Sequence, residues 1–151
     1  VGNLSRLPLA VRKALEKAIF TTRHNDGLTV VLGISYGARE EILAGARALA
    51  VAAREGRIDP AEINETRFAQ HLWTNDIPDP DLLIRTGKEF RLSNFLLWQL
   101  AYTEIYVTDT LWPEFGRDEF LRALAEYQSR ERRFGRTAEQ QPPAELRRAV
   151  R

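Results

Sequence analysis

The spacing of apolar residues along the chain predicts helices at its start, centre and end. The first helix begins near Pro8, and the second begins at Ala38 and ends near Gly56. We expect the second helix to bury one stripe of side chains, formed by Ile42, Ala46, Leu49 and Ala53. The later helices are predicted to begin at residue types that favour the N-cap position: Asp59, Ser93 and Asp118.

Short apolar runs between these helices predict β-strands. The runs are Leu28 to Ile34, Asp81 to Ile84, and Ile105 to Val107. Because strands and helices alternate along the chain, we predict an α/β fold in which a parallel sheet is flanked by helices. Three strands are fewer than such sheets usually contain, so we interpret this one as a partial sheet.

Composition narrows the class of protein. The chain has 151 residues, of which 44% are hydrophobic, which suits one globular domain. Its formal net charge is only +1, which argues against nucleic acid as a partner. It contains no cysteine, which excludes disulfides and cysteine nucleophiles and favours a cytoplasmic location. It also contains no methionine, even at its start, so we expect the natural protein to be longer.

Candidate chemistry is concentrated after the second predicted strand. Arg85 directly follows this strand, and Arg91 and Ser93 lead into the predicted helix from Ser93 to Tyr102. Ligands of open parallel sheets bind at the carboxyl ends of the strands, and a helix start offers unpaired N–H groups. Arginine can grip phosphate oxygens with two donors, and serine can cap the helix or contact the ligand. The residues predict a phosphate site, although solvated arginines at an ordinary strand–loop–helix junction would explain them equally well.

The same region carries a family resemblance. Residues 79–104, then Trp112-Pro113 and the segment from Glu131 to Gly135, resemble the cis-prenyltransferases of the undecaprenyl diphosphate synthase type. The resemblance covers residues 1–135 and implies that they are the C-terminal part of a single catalytic domain, followed by a polar tail at 136–151. It implies a prenyltransferase that extends an allylic diphosphate with isopentenyl diphosphate, uses Mg²⁺ and forms a homodimer. Peripheral contact with a membrane through the lipid product is also implied.

Site residues follow from the resemblance position by position. Arg85, Arg91 and Ser93 match the isopentenyl diphosphate ligands, and Glu104 matches the acidic residue associated with the metal. Arg133 and Gly135 match an Arg-x-Gly motif that reaches the partner subunit's site in family dimers. The sequence Tyr36-Gly37 with Arg39 resembles the family's Asn-Tyr-Gly-Gly-Arg element. No residue of this chain is assigned a catalytic role.

The chain also departs from the family pattern. Gly87 and Lys88 stand where the family loop Arg-Thr-Ser-Gly-Glu-x-Arg has serine and glycine. The family's Asp-Gly-Asn-Gly-Arg element, which holds the allylic diphosphate and Mg²⁺, has no counterpart in the chain. The resemblance therefore implies that this chain carries mainly the isopentenyl diphosphate site, and that the 151-residue chain alone is inactive.

Other functional classes stay open beside the enzyme. One is a non-catalytic accessory subunit of a two-component cis-prenyltransferase, which would lend its Arg-x-Gly tail to an active partner. Another is a general diphosphate-binding module, which the absence of Walker-type and Gly-x-Gly-x-x-Gly loops disfavours. Retention of the arginines and of Glu104 favours the enzyme, because an accessory subunit need not keep its own diphosphate loop.

Overall fold

A computed structural model describes residues 1–130 of the chain, which form two compact units. The first unit comprises Val1–Pro78 and Leu92–Trp98, and the second comprises Asp79–Arg91 and the described residues from Gln99 onward. The regular elements, in chain order, are α1 (Leu9–Thr22), α2 (Ala38–Arg54), α3 (Glu65–Ala69), β1 (Leu82–Arg85), β2 (Glu104–Val107) and α4 (Arg117–Ser129). No helix within residues 1–130 is long and apolar enough to cross a membrane.

Helix α2 forms the centre of the first unit. Its buried residues are Ala38, Glu41, Gly45, Leu49 and Ala52. Of the predicted stripe, Leu49 is buried, Ile42 and Ala53 are half-buried, and Ala46 is exposed. The prediction missed the centre of the buried face because that face includes a glutamate and a glycine, which hydrophobic spacing cannot detect. The glycine has a packing reason: a Cβ at Gly45 would lie 3.3 Å from the carbonyl oxygen of His71.

The fully buried side chain of Glu41 joins α2 to two other segments. Its Oε2 accepts a hydrogen bond from the Tyr36 hydroxyl at 2.5 Å, and its Oε1 accepts one from the backbone N–H of Trp73 at 2.8 Å. The ring of Tyr36 makes edge contacts with Trp73 and Phe95, at centroid distances of 5.9 and 5.7 Å. A carboxylate supplied with such donors can be buried without the full cost of an unpaired charge.

The helix predicted from Asp59 is divided in the structure. The Asp59 carboxylate accepts the N–H of Ala61 at 2.9 Å, as expected of an N-cap, but only a 3₁₀ turn follows, at Pro60–Glu62. The chain then becomes extended, and Asn64 caps α3 by accepting the N–H of Arg67 at 2.9 Å. A second strong cap a few residues after the first starts a new helix instead of continuing the old one.

The strand predicted from Leu28 to Ile34 is not formed, and its residues have no regular secondary structure and are largely exposed, with Leu28 at 91%. Leu32 and Ile34 exchange backbone hydrogen bonds with Val1, at 2.8 and 2.9 Å. The prediction required a sheet neighbour on each side, which an apolar sequence cannot guarantee.

The second unit contains a parallel two-stranded sheet. Strand β1 pairs with β2, so that Leu82 lies opposite Glu104 and Arg85 lies opposite Val107. Helix α4 packs on β2, and Gly116, rather than the predicted Asp118, holds its N-cap position. The α/β class and the parallel partial sheet are thus confirmed, with two strands in the described residues instead of three.

The helix predicted from Ser93 to Tyr102 is absent, and turns occupy this segment. Ser93, Asn94 and Leu96 have φ values of 52°, 61° and 45°, in the left-handed region. A right-handed helix cannot pass through such residues, and asparagine visits this region more readily than most. Ser93 is therefore not a helix cap, and the phosphate site cannot use a helix N-terminus at this position.

Candidate functional site

The carboxyl end of the parallel sheet supports the loop that follows β1. The carbonyl oxygen of Arg85 accepts the N–H of Thr108 at 2.9 Å, which extends the pairing beyond the strands. In the loop, Gly87 donates its N–H to Thr110 at 2.8 Å and Lys88 donates its N–H to Thr108 at 2.9 Å. The loop between the two candidate arginines is therefore fixed by its backbone to the residues after β2.

Two consecutive left-handed residues turn this loop. Gly87 has φ 67° and Lys88 has φ 58°, and only the glycine adopts this conformation without a steric cost. The Lys88 ammonium lies 3.5 Å from the Asp109 carboxylate, but both side chains are exposed, so the pair contributes little. The lysine that departs from the family pattern thus follows the backbone path that a glycine at this position would favour.

Arg85 presents an unsatisfied donor at the sheet edge. Its Nε is buried and has no hydrogen-bond partner within the described part of the chain. A buried donor without a partner costs on the order of 1 to 3 kcal/mol, and in native proteins such a group calls for an explanation, of which a bound ion is one. An anion that accepted this N–H would remove the cost.

Arg91 is held at the surface by a neighbouring carboxylate. Its Nε lies 2.5 Å from Oε2 of Glu89 and its Nη2 lies 3.1 Å from Oε1, which makes a two-pronged pair. The hydrogen bond from Arg91 lowers the pKa of Glu89, and the same bond raises the pKa of Arg91. The Arg91 side chain is 74% exposed. Exposed pairs are weak, so a multiply charged anion can compete for these donors.

Glu104 is the first residue of β2 and is paired with Arg130 at the end of α4. Nη1 of Arg130 lies 3.0 Å from Oε2 of Glu104 and donates to the carbonyl of Ile105 at 2.9 Å. Nη2 of the same guanidinium lies 2.5 Å from Oε1 of Glu126. These bonds raise the pKa of Arg130, and the bond that it donates to Glu126 does so more than the bond that it donates to Glu104. Sequence reasoning missed Arg130, although its i, i+4 spacing from Glu126 was a visible signal.

Glu104 suits Mg²⁺ as one ligand among several. Magnesium sites commonly use one or two carboxylates together with substrate phosphate oxygens and water, instead of a cage made by the protein alone. Within residues 1–130 no group of three or more His, Cys, Asp and Glu side chains is arranged to hold a metal. The single carboxylate of Glu104 suits a site in which substrate phosphate oxygens and water supply the other Mg²⁺ ligands.

The predicted site residues lie in both units of the chain. Arg85 and Arg91 belong to the second unit with Glu104, whereas Ser93 belongs to the first unit with Tyr36, Gly37 and Arg39. Arg85 is thus the last residue of β1 and Arg91 lies in the loop that follows, whereas Ser93 is in the other unit. Arg133, Gly135 and the tail at 136–151 lie outside the described residues.

Comparisons with known proteins show the family to which the chain belongs. Residues 1–135 match the family model described as "Putative undecaprenyl diphosphate synthase". An isoprenyl transferase of Porphyromonas gingivalis is 54% identical over 140 residues, covering 93% of this chain and 55% of that protein. An isoprenyl transferase of Bacillus subtilis is 47% identical over 135 residues, covering 89% and 52%.

A solved structure gives the same result for the fold. The crystal structure of lavandulyl diphosphate synthase from Lavandula x intermedia, in complex with dimethylallyl diphosphate, superposes with a TM-score of 0.87 at 45% identity. The match covers 89% of this chain and 58% of that one. The chain therefore belongs to the undecaprenyl diphosphate synthase family of prenyltransferases. It spans about half the length of the curated relatives that it matches.

We predict that Arg130→Met lowers the free energy of unfolding by about 1 to 2 kcal/mol, because it leaves the half-buried Glu104 carboxylate without its guanidinium. The matched control is Arg122→Met on the same helix, whose pair with Glu119 leaves the arginine 65% exposed. The control should cost less than about 0.5 kcal/mol. Urea unfolding measures both changes. Equal losses in the two variants would show that the pair with Glu104 contributes no more to the free energy of unfolding than an exposed pair does.

Proposed function

We propose that the protein containing this chain elongates prenyl chains by condensing isopentenyl diphosphate with an allylic diphosphate, and that this chain supplies the isopentenyl diphosphate site. The observation that carries the proposal is Nε of Arg85 at the carboxyl end of the sheet, which is buried and has no partner among residues 1–130. Arg91, on the same backbone-fixed loop, adds an exposed guanidinium whose donors a diphosphate can take. Family membership supports the reaction type.

In this proposal the loop holds one substrate while the other ionises. Arg85 and Arg91 bind diphosphate oxygens, and the Ser93 hydroxyl donates a further hydrogen bond. Holding the isopentenyl diphosphate in a fixed place brings its double bond close to the allylic carbon and removes the entropy cost of the encounter. The loop arginines therefore act by binding and orientation, not by proton transfer.

Mg²⁺ would neutralise charge on diphosphate oxygens when it is bound. Glu104 would provide one hard oxygen ligand. Arg130, which is paired with the same carboxylate, would hold it in place. Arg133 and Gly135 would extend toward the site of a partner subunit.

The accessory-subunit and general-module hypotheses are weaker. A subunit that only lends its tail to a partner gains nothing from a buried, unsatisfied arginine donor in its own loop, because that donor lowers stability. A general diphosphate module would not require a carboxylate on β2. Binding of isopentenyl diphosphate with no turnover in any assembly would favour one of these alternatives.

We predict that Arg85→Ala and Arg91→Ala each weaken pyrophosphate binding by about tenfold or more, since charge-assisted hydrogen bonds contribute about 1.5 to 3 kcal/mol. Calorimetric titration gives the dissociation constants. Arg57→Ala is a suitable control, because Arg57 is an exposed arginine paired with Glu55 in the other unit. Unchanged affinity in both loop variants would remove the site from this loop.

That the 151-residue chain alone does not make prenyl chains stays a prediction from the family resemblance. The assay is incorporation of labelled isopentenyl diphosphate into lipid-soluble product by the purified chain with Mg²⁺. We expect binding without turnover, and Mg²⁺-dependent turnover, impaired by Glu104→Ala, once the Asp-Gly-Asn-Gly-Arg element is supplied. Clear turnover by the chain alone would show that other residues, such as Asp26 or Asp109, replace that element.

We further propose a homodimer with the Glu104–Val107 region near the partner, in the cytoplasm and in peripheral contact with a membrane through its product. Exposed apolar side chains in the second unit support the interface, with Ile105, Leu111 and Trp112 all open to solvent. An obligate interface of this kind survives dilution, so the active protein should sediment as a dimer at micromolar concentration. A monomeric mass would contradict the proposal.

A further inference from the structure

Asn94 caps helix α2 from far along the chain. The carbonyl oxygen of Asn94 accepts the N–H of Ala38 at 2.8 Å, and its side-chain Oδ1 accepts the N–H of Arg39 at 2.9 Å. The first N–H groups of a helix have no acceptor within the helix. The N-cap residue of α2 is Gly37, which has no side chain to offer one. A residue of another segment therefore does what a local serine or aspartate usually does.

Glycine at position 37 leaves room for the side chain that makes this cap. A Cβ on Gly37 would lie 2.9 Å from Nδ2 of Asn94, a distance that real Cβ atoms essentially never show. The backbone of Gly37 is extended, with φ −152°, so alanine would fit its conformation. Space for the Asn94 side chain, rather than backbone freedom, explains this glycine.

Capping also fixes the path of the neighbouring residues. Ser93 and Asn94 have φ values of 52° and 61°, and the next residue, Phe95, packs its ring edge against Tyr36. Left-handed residues persist only where the surroundings over-determine them. The two bonds from α2 and the aromatic contact of Phe95 fix the backbone at Asn94 and Phe95, directly after Ser93.

We infer that Asn94 is the positioning residue for Ser93: by capping α2 it fixes the backbone that carries the serine proposed to bind the diphosphate. This inference rests on the proposed function of Ser93 as a diphosphate ligand. Asn94 itself makes no contact with substrate in this account and acts through Ser93.

The test is a double-mutant cycle on pyrophosphate affinity in the active protein that contains this chain. Asn94→Gly removes the Oδ1 acceptor but keeps a residue that tolerates φ 61°. We expect Ser93→Ala and Asn94→Gly each to weaken binding by about tenfold, and the double variant to be no weaker than Ser93→Ala. Additive losses would overturn the inference, because a merely structural role would weaken binding independently of the serine.

Gly37→Ala gives a second route to the same result. It displaces the Asn94 side chain without altering Asn94 and should reproduce the loss of affinity, again without effect in the Ser93→Ala background. Asn94→Asp keeps the acceptor, so its melting midpoint should stay close to that of the parent protein while Asn94→Gly melts lower. Faster hydrogen exchange at the Arg39 amide in Asn94→Gly would confirm that the cap is lost, and unchanged exchange would contradict the capping role.

The outcomes separate this inference from the proposed function. If Ser93→Ala leaves affinity intact while Arg85→Ala lowers it, the loop still binds diphosphate but the proposed positioning role of Asn94 is wrong. If none of the variants at Arg85, Arg91 and Ser93 changes affinity, the proposed site itself is wrong.

Discussion

The buried carboxylate of Glu41 is the interaction on which the first unit depends. Removing a charge from water costs several kcal/mol unless donors replace the water, and here the Tyr36 hydroxyl and the Trp73 amide do so. Each donor comes from a different segment, so satisfying one carboxylate fixes the approach to α2 and the chain after α3 together. The Tyr36 ring then supports Phe95 and, with it, the segment that carries Ser93.

The second unit is organised by backbone bonding instead. Its loop is pinned by the amides of Gly87 and Lys88, so the arginine side chains are not needed to hold the loop in place. In the described part of the chain, Nε of Arg85 is buried without a partner, and the donors of Arg91 are engaged only in an exposed pair. A rigid backbone that presents unsatisfied side chains is preorganised for an anion, because little must be rearranged when the ligand arrives.

Sequence patterns predicted the elements that are stabilised by contacts within a helix or between two neighbouring strands. Helix α2 and strands β1 and β2 lie where apolar spacing indicated, within about a residue at most ends. The strand at Leu28–Ile34 and the helix at Ser93 failed because each was decided by tertiary contacts: the first lacks sheet neighbours, and the second is held in left-handed turns through Asn94. The loop arginines and Glu104 were found through chemistry and resemblance, whereas Arg130 was missed because its role depends on contact between α4 and β2.

The close approach of Gly37 and Asn94 has a consequence for sequence variation. The space that a side chain at one position needs is occupied by the side chain at the other, so the two positions cannot drift independently. A larger residue at 37 requires either that the Asn94 side chain moves away or that 94 becomes smaller, and α2 must then gain a cap of its own.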